Sequence, residues 1–220
     1  MKILIIAPHP DDEVLGCGGT IIKHRKKGDE IYLCIATKMY VTKEWKKEYI
    51  EERKKQMNLA IKKLGVKKTF FLDLPIVKLD TVPQKEINDL LSEIVSNVEP
   101  DVVFIPHQGD INIDHRLIFA SSLVALKPKP DDKPMRILSY ETLSSTECGS
   151  HFVFFQPNVY EDITGEIEEK IDVMKIYSVE LKKFPHPRSI EAIEVLAKKR
   201  GSECGLLAAE AFMLLREVLK

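Results

Sequence analysis

Short apolar runs alternate along this chain with longer segments of helical period. "KILIIA" (2–7) has the length and continuity of a buried strand. "GGTIIKHRKKG" (18–28) predicts a helix closed by Gly28. "EIYLCIAT" (30–37) is a second strand, and "KEWKKEYIEERKKQMNLAIKKLG" (43–65) a long amphipathic helix ending at Gly65. "KTFFLDL" (68–74) is a third strand. "PQKEINDLLSEIVSNVEP" (83–100) is a helix with Thr81 or Val82 near its cap. "DVVFIPH" (101–107) is a fourth strand, and "DHRLIFASSLVALK" (114–127) a helix that Asp114 would cap. "KPKPDDKP" (127–134) is a loop. "MRILSYE" (135–141) and "HFVFFQPNVYEDI" (151–163) follow, then helices near 165–183 and 189–199. "GLLAAEAFMLLREVL" (205–219) has apolar positions on one face and predicts a final helix.

The order βαβαβαβα predicts a mostly parallel sheet with helices on both faces, an α/β, Rossmann-like three-layer fold. At 220 residues it fits one domain, 1–220. No internal repeat interrupts it.

Composition narrows the partners. Lys and Arg total 33 and Asp and Glu 34, so there is no basic footprint for nucleic acid. No segment has the roughly 18 apolar residues of a membrane span. The N-terminal apolar run is followed by charge, unlike a secretory leader, which places the protein in the cytoplasm. Cys17, Cys34, Cys148 and Cys204 form no C-x-x-C pair, which argues against both structural zinc and a disulfide framework.

Two strand ends concentrate metal-ligand residue types. "PHPDDE" follows the first strand and "PHQGDINIDHR" overlaps the end of the fourth. In a doubly wound sheet these strands flank the switch point, where ligands bind outside the carboxyl ends. Two histidines and one carboxylate, with a position left for water, make the donor set of a catalytic zinc centre. The Pro10 turn brings His9 and Asp12 to one side, and His115 completes the set. Asp11 would face the water and take its proton.

"PHPDDE", a glycine cluster and a later "DH" opening a helix together resemble the PIG-L/LmbE family of zinc-dependent de-N-acetylases. The likeness covers most of the chain. "IEERKKQMNLAIKKLGV" resembles the family's Arg-bearing helix, "RGSECGLLAAEAFMLLR" its tail, and "SSTE" (144–147) and "HPRS" (186–189) its subgroup motifs. The resemblance implies an LmbE-like fold and hydrolysis of an acetamide on a small N-acetylglucosamine-type amino sugar or conjugate. It implies one Zn2+ per chain, with Fe2+ or another divalent metal as the alternative. It also implies a homo-oligomer, a trimer or hexamer.

Carried over by position, His9, Asp12 and His115 are the metal ligands, Asp11 the general base and Arg53 a substrate contact. Some members have an oxyanion-stabilising histidine where this chain has Asn112. Its amide can donate a hydrogen bond but carries no charge. That difference turns attention to His186 and Arg188. The other readings are a phosphoesterase and a non-catalytic sugar- or nucleotide-binding module on the same scaffold.

Other residues have plainer readings. Asp110 is a loop turn residue or a substrate contact. Asp114 caps its helix, with a hydrogen bond to a metal ligand besides. His107 faces the site or is a satisfied loop histidine. His24 and His151 are structural or exposed. "GCGG" (16–19) lacks the G-x-G-x-x-G spacing and reads as close helix packing, with Cys17 a small packing residue.

Overall fold

The computed structural model describes residues 1–128, 135–149 and 153–219; most of the 127–134 loop, and His151, lie outside the described residues. Five strands, β1 (Lys2–Ala7), β2 (Glu30–Lys38), β3 (Lys68–Pro75), β4 (Val102–Pro106) and β5 (Arg136–Tyr140), run parallel. Two more, β6 (Val159–Asp162) and β7 (Ala209–Glu217), complete a sheet of order β3-β2-β1-β4-β5-β7-β6. β7 is antiparallel to both its neighbours. The helices are α1 (Asp12–Lys26), α2 (Lys47–Leu64), α3 (Gln84–Val98), α4 (Ile113–Ala125), α5 (Ile167–Met174) and α6 (Ile190–Ser202).

The central strand shows why "KILIIA" reads as continuously apolar. Ile3, Ile5 and Ala7 pack with α1, α2, α5 and α6 on one face of the sheet. Leu4 and Ile6 pack with α3 and α4 on the other. All five have no exposed surface. A strand covered on both faces has no polar side to show, and each fully buried aliphatic side chain contributes about 1.5–3 kcal/mol. β1 pairs with β2 on one edge and β4 on the other, with Ile5 opposite Phe104. The chain therefore leaves β1 and β4 at neighbouring points on one end of the sheet.

The structure corrects four local expectations. The segment 205–219 is not a helix, because its core is β7. Its Ala, Leu, Met and Glu favour helix intrinsically, but tertiary context overrides that preference. Alternate residues divide between the two layers, Phe212 and Leu214 on one side and Leu215 on the other. Second, α1 begins at Asp12, six residues before the expected start, and carries Gly16, Gly18 and Gly19 inside it. A Cβ at Gly16 would lie 2.3 Å from the Tyr140 ring. The glycine cluster thus serves close helix packing, against the intrinsic cost of glycine in a helix.

Third, α5 spans only Ile167–Met174, and turns and irregular backbone make up the rest of 165–183. Fourth, helix caps move. Pro83, not Thr81 or Val82, precedes α3. Asn112, not Asp114, caps α4, its Oδ1 accepting from the Asp114 N–H at 3.0 Å. α6 is capped by Ser189, which accepts from the Ala192 N–H.

Candidate metal centre

The turn after β1 delivers His9, Asp11 and Asp12 to the carboxyl end of the sheet, and the loop after β4 delivers Asp110, Asp114 and His115. All six are buried. One donor atom from each of His9, Asp12 and His115 lies within 4.8 Å of the others. His115 Nε2 stands 3.2 Å from His9 Nδ1 and 3.2 Å from Asp12 Oδ2, and His9 Nδ1 is also 3.2 Å from Asp12 Oδ2.

The far nitrogen of each ring is held by a carboxylate. His9 Nε2 meets Asp114 Oδ2 at 3.0 Å, and His115 Nδ1 meets Asp110 Oδ2 at 3.0 Å. This fixes both rings with the remaining nitrogen turned toward Asp12. Carboxylate–histidine pairs of this kind orient metal-binding rings and raise their basicity.

The carboxylates behind the rings are themselves anchored. Asp114 accepts backbone N–H groups from Val77 at 2.7 Å and Leu79 at 3.3 Å. Asp110 accepts from Ser145 Oγ, from Thr146 Oγ1 at 3.0 Å and from the Asn112 N–H at 2.8 Å. Those hydroxyls reach Asp110 because the loops after β4 and β5 touch. A Cβ at Gly149 would fall 1.9 Å from the Gly109 carbonyl oxygen. Asp110 has no exposed surface, and its Oδ2 faces His115 Nδ1.

The electrostatics of the cluster favour positive charge between the carboxylates. Burial opposes charge on Asp12, yet His115 and His9 outweigh it and hold that carboxyl well below the usual range. Burial also opposes a charged His115, but the Asp12 charge and the Asp110 hydrogen bond push it up to about 10. The three carboxylates around the two rings thus demand positive charge at their centre. Asp12 Oδ1 is buried without any hydrogen-bond partner. A buried polar atom left alone is costly, and a divalent cation would satisfy it while replacing the protons on the imidazoles. The donor set fits such an ion.

Asp11 stands at the mouth of α1 with φ 109°, outside the regions a non-glycine residue prefers. Its N–H donates to Glu13 Oε2 at 2.9 Å, and its Oδ2 accepts from Arg188 Nη1 at 3.1 Å. Burial raises its carboxyl above the ordinary value, and Arg188 opposes that rise. Glu13 is pushed up to about 7 by burial; its Oε1 accepts from the Tyr177 hydroxyl at 2.6 Å.

The chain resembles known proteins in sequence and in fold. The GlcNAc-PI de-N-acetylase (PIG-L) family profile matches residues 4–126, more than half of the chain. The protein belongs to the PIG-L family. The uncharacterized deacetylase YaiS of Escherichia coli (strain K12) is 32% identical over 172 residues, 74% of this chain and 83% of that one. The diacetylchitobiose deacetylase of Thermococcus kodakarensis is 24% identical over 189 residues, 80% of this chain and 68% of that one. Among solved structures, the conserved protein TT1542 from Thermus thermophilus matches with a TM-score of 0.76 at 26% identity, covering 99% of this chain and 96% of that one.

The remaining candidates of this PIG-L chain fall at different depths. Arg53, on α2, is buried, donates from Nη2 to the Pro10 carbonyl at 3.0 Å and pairs with Glu180. Arg188 bridges Asp11, Glu180 and Ser144. His186 is exposed, and its Nδ1 accepts from the Arg188 N–H. His107 is a satisfied loop histidine, with Nε2 on the Val153 carbonyl at 3.0 Å and the ring edge-on to Phe155. Burial pushes the Cys17 thiol up, consistent with a packing residue. His24 is tied to Asp29 at 2.7 Å.

Sequence reasoning missed the bracing roles of Ser145 and Thr146, although "SSTE" drew attention to them. Tyr177 and Glu180 carried no signal, since they lie in a segment that reads as a surface helix.

Proposed function

We propose that the protein is a metal-dependent hydrolase that removes the acetyl group from an N-acetylglucosamine-type amino sugar or its conjugate. Water and the acetamide give acetate and a free amine. The observation that carries this reading is the buried His9, Asp12 and His115 set, with an unpartnered Asp12 oxygen and Asp11 beside it. The deacetylases among its relatives support the bond and the sugar class.

His9 Nδ1, His115 Nε2 and an Asp12 oxygen are the proposed ligands of one Zn2+, with Fe2+ the alternative. Such an ion, when bound, polarises a carbonyl and brings the pKa of a water toward neutrality. Asp11 accepts the proton of the attacking water and returns it to the departing nitrogen. The strain at its φ is of the kind that surrounding structure maintains at functional sites. Asn112 has its amide orientation set by capping α4, which leaves Nδ2 as the donor for the oxyanion. Arg188 holds Asp11 in place, and with Arg53 and His186 it supplies the polar rim proposed to meet the sugar.

A two-metal phosphoesterase needs a second group of ligands, and the described residues hold one such cluster. The proposed assembly is a homo-oligomer, trimer or hexamer, readable by analytical ultracentrifugation.

Acetate release across a panel of N-acetylated amino sugars, with metal content measured alongside, tests the reading. Asp11→Asn is expected to keep one metal per chain and lose about 10²–10⁴-fold in kcat. Near-normal turnover in that variant, or ligand binding with no hydrolysis by the metal-loaded wild type, would refute it.

A further inference from the structure

We infer that Glu180 is a positioning residue of this site: its one carboxylate fastens Arg53 and Arg188 together and through them fixes the Pro10 carbonyl and the Asp11 carboxylate at the entrance to α1. Glu180 lies in the turns after α5, with its N–H on the Tyr177 carbonyl at 2.9 Å. Its Oε1 pairs with Arg53 Nη1 and accepts from the Tyr49 hydroxyl at 3.2 Å. Its Oε2 accepts from Arg188 Nη1 at 2.9 Å. The side chain is 15% exposed.

The need for such a clamp follows from the backbone at Asp11. A non-glycine residue at φ 109° persists only where neighbours over-determine it. Three side-chain contacts fall on Pro10 and Asp11 themselves: Arg53 on the Pro10 carbonyl, Arg188 on Asp11 Oδ2, and Glu13 on the Asp11 N–H. The first two both run through Glu180. The third is steadied by Tyr177, three residues earlier in the same segment.

Charge gives a second reason. Glu180 brings two guanidinium groups together against one face of the turn. Without its carboxylate those like charges repel, and Arg188 has only Asp11 to answer its charge among the contacts described above. The Arg188 fork is also tied through Nε to Ser144 Oγ at 2.7 Å, and Ser144 itself sits at φ 71°. Glu180 therefore joins α2, the turn after β1 and the loop after β5 at one point.

The kinetic arm of the test rests on the hydrolase reading; the exchange arm does not. Amide hydrogen exchange over residues 8–14 and 184–190 would be compared in the metal-loaded wild type, Glu180→Gln, Arg188→Ala and the double variant. Glu180→Gln is expected to speed exchange in both segments while leaving the β1 and β4 amides protected. It should lower kcat by about 10–100-fold with KM changed far less, as expected when a reacting group is misplaced by around an ångström. The double variant should lose less than the product of the two single losses, because both residues act on Asp11 through one contact. Unchanged exchange over 8–14 in Glu180→Gln, or losses that multiply, would overturn the inference. A wild type that releases no acetate would sink the hydrolase reading and leave exchange alone to decide the role of Glu180.

Discussion

Replacing Glu210 by alanine tests how α1 is held against the sheet. The Glu210 side chain projects from β7 and is 4% exposed. It accepts the backbone N–H groups of Gly19 at 2.8 Å and Thr20 at 2.7 Å, and pairs with Lys170 Nζ at 2.6 Å. Lys170, 5% exposed, also donates to the Leu15 carbonyl at 2.9 Å. An ion pair from β7 and α5 thus supplies partners to the backbone of α1 midway along its glycine-rich stretch. Truncation strands a buried ammonium, and breaking such a pair from one side costs about 3–5 kcal/mol. Two N–H groups also lose their acceptor, at about 1–3 kcal/mol each if nothing replaces it. These costs overlap, since the helix can recover bonds of its own. The lower end of their sum, about 5 kcal/mol, is therefore the expected loss. At about 2–4 °C per kcal/mol for a chain of this size, the melting midpoint should fall by roughly 10–20 °C. Circular dichroism melts and urea titrations of metal-free wild type, Glu210→Ala, Lys170→Met and the double variant make the measurement. The double variant should cost clearly less than the two single losses added, because it leaves no unpaired charge. A Glu210→Ala protein within about 1 kcal/mol of wild type, or strict additivity in the double, would show that the pair does not hold α1.

Other outcomes are open to direct test. Asp110→Ala and Asp114→Ala should each weaken zinc binding about 10–100-fold by calorimetry while His115→Ala abolishes it, since the two acids act behind the rings; equal affinity in all three would remove the bracing role. Zinc at a hundred times its dissociation constant should stabilise the wild type by about 2.7 kcal/mol and a His9→Ala, His115→Ala double not at all, read by differential scanning fluorimetry. Gly16→Ala should destabilise by about 1–3 kcal/mol through collision with the Tyr140 ring, against the slight gain that alanine brings to an unhindered helix.

Much of the architecture, and the convergence of His9, Asp12 and His115, was legible because both rest on local signals. Continuous apolar runs mark strands covered on both faces, and "PHPDDE" follows β1 while "IDHR" opens the helix after β4, two points that the topology brings together. The last strand was hidden because Ala, Leu, Met and Glu in "AEAFMLLRE" speak for helix. Its period-two division between the layers appears only once β5 and β6 stand on either side. Asp114 shows a similar limit. Beside a helix start an aspartate reads as a cap, but Asn112 two residues earlier takes that place, which leaves Asp114 to reach His9 across the sheet end. Glu180 and Glu210 were opaque for a different reason. The partners of Glu180 are Arg188 and residues of α2, those of Glu210 lie on α1 and α5, and nothing in a single chain of letters says which acids will be enclosed.

The place of β7 in the sheet bears on how the protein matures during synthesis. β6 stands at the sheet edge with β7 between it and β5, yet residues 209–217 follow every other described element. A nascent chain that has emerged through α6 owns the segments that carry His9, Asp12 and His115 but has nothing to seat β6. It also lacks the carboxylate that meets Gly19 and Thr20. Domains emerging from the ribosome start to fold from their N-terminal side, so β1 to β5 can assemble early while the rear of α1 waits. Arrest of translation just before residue 209 would leave a parallel half-sheet with an exposed β5 edge, a form prone to capture by chaperones or by its own kind.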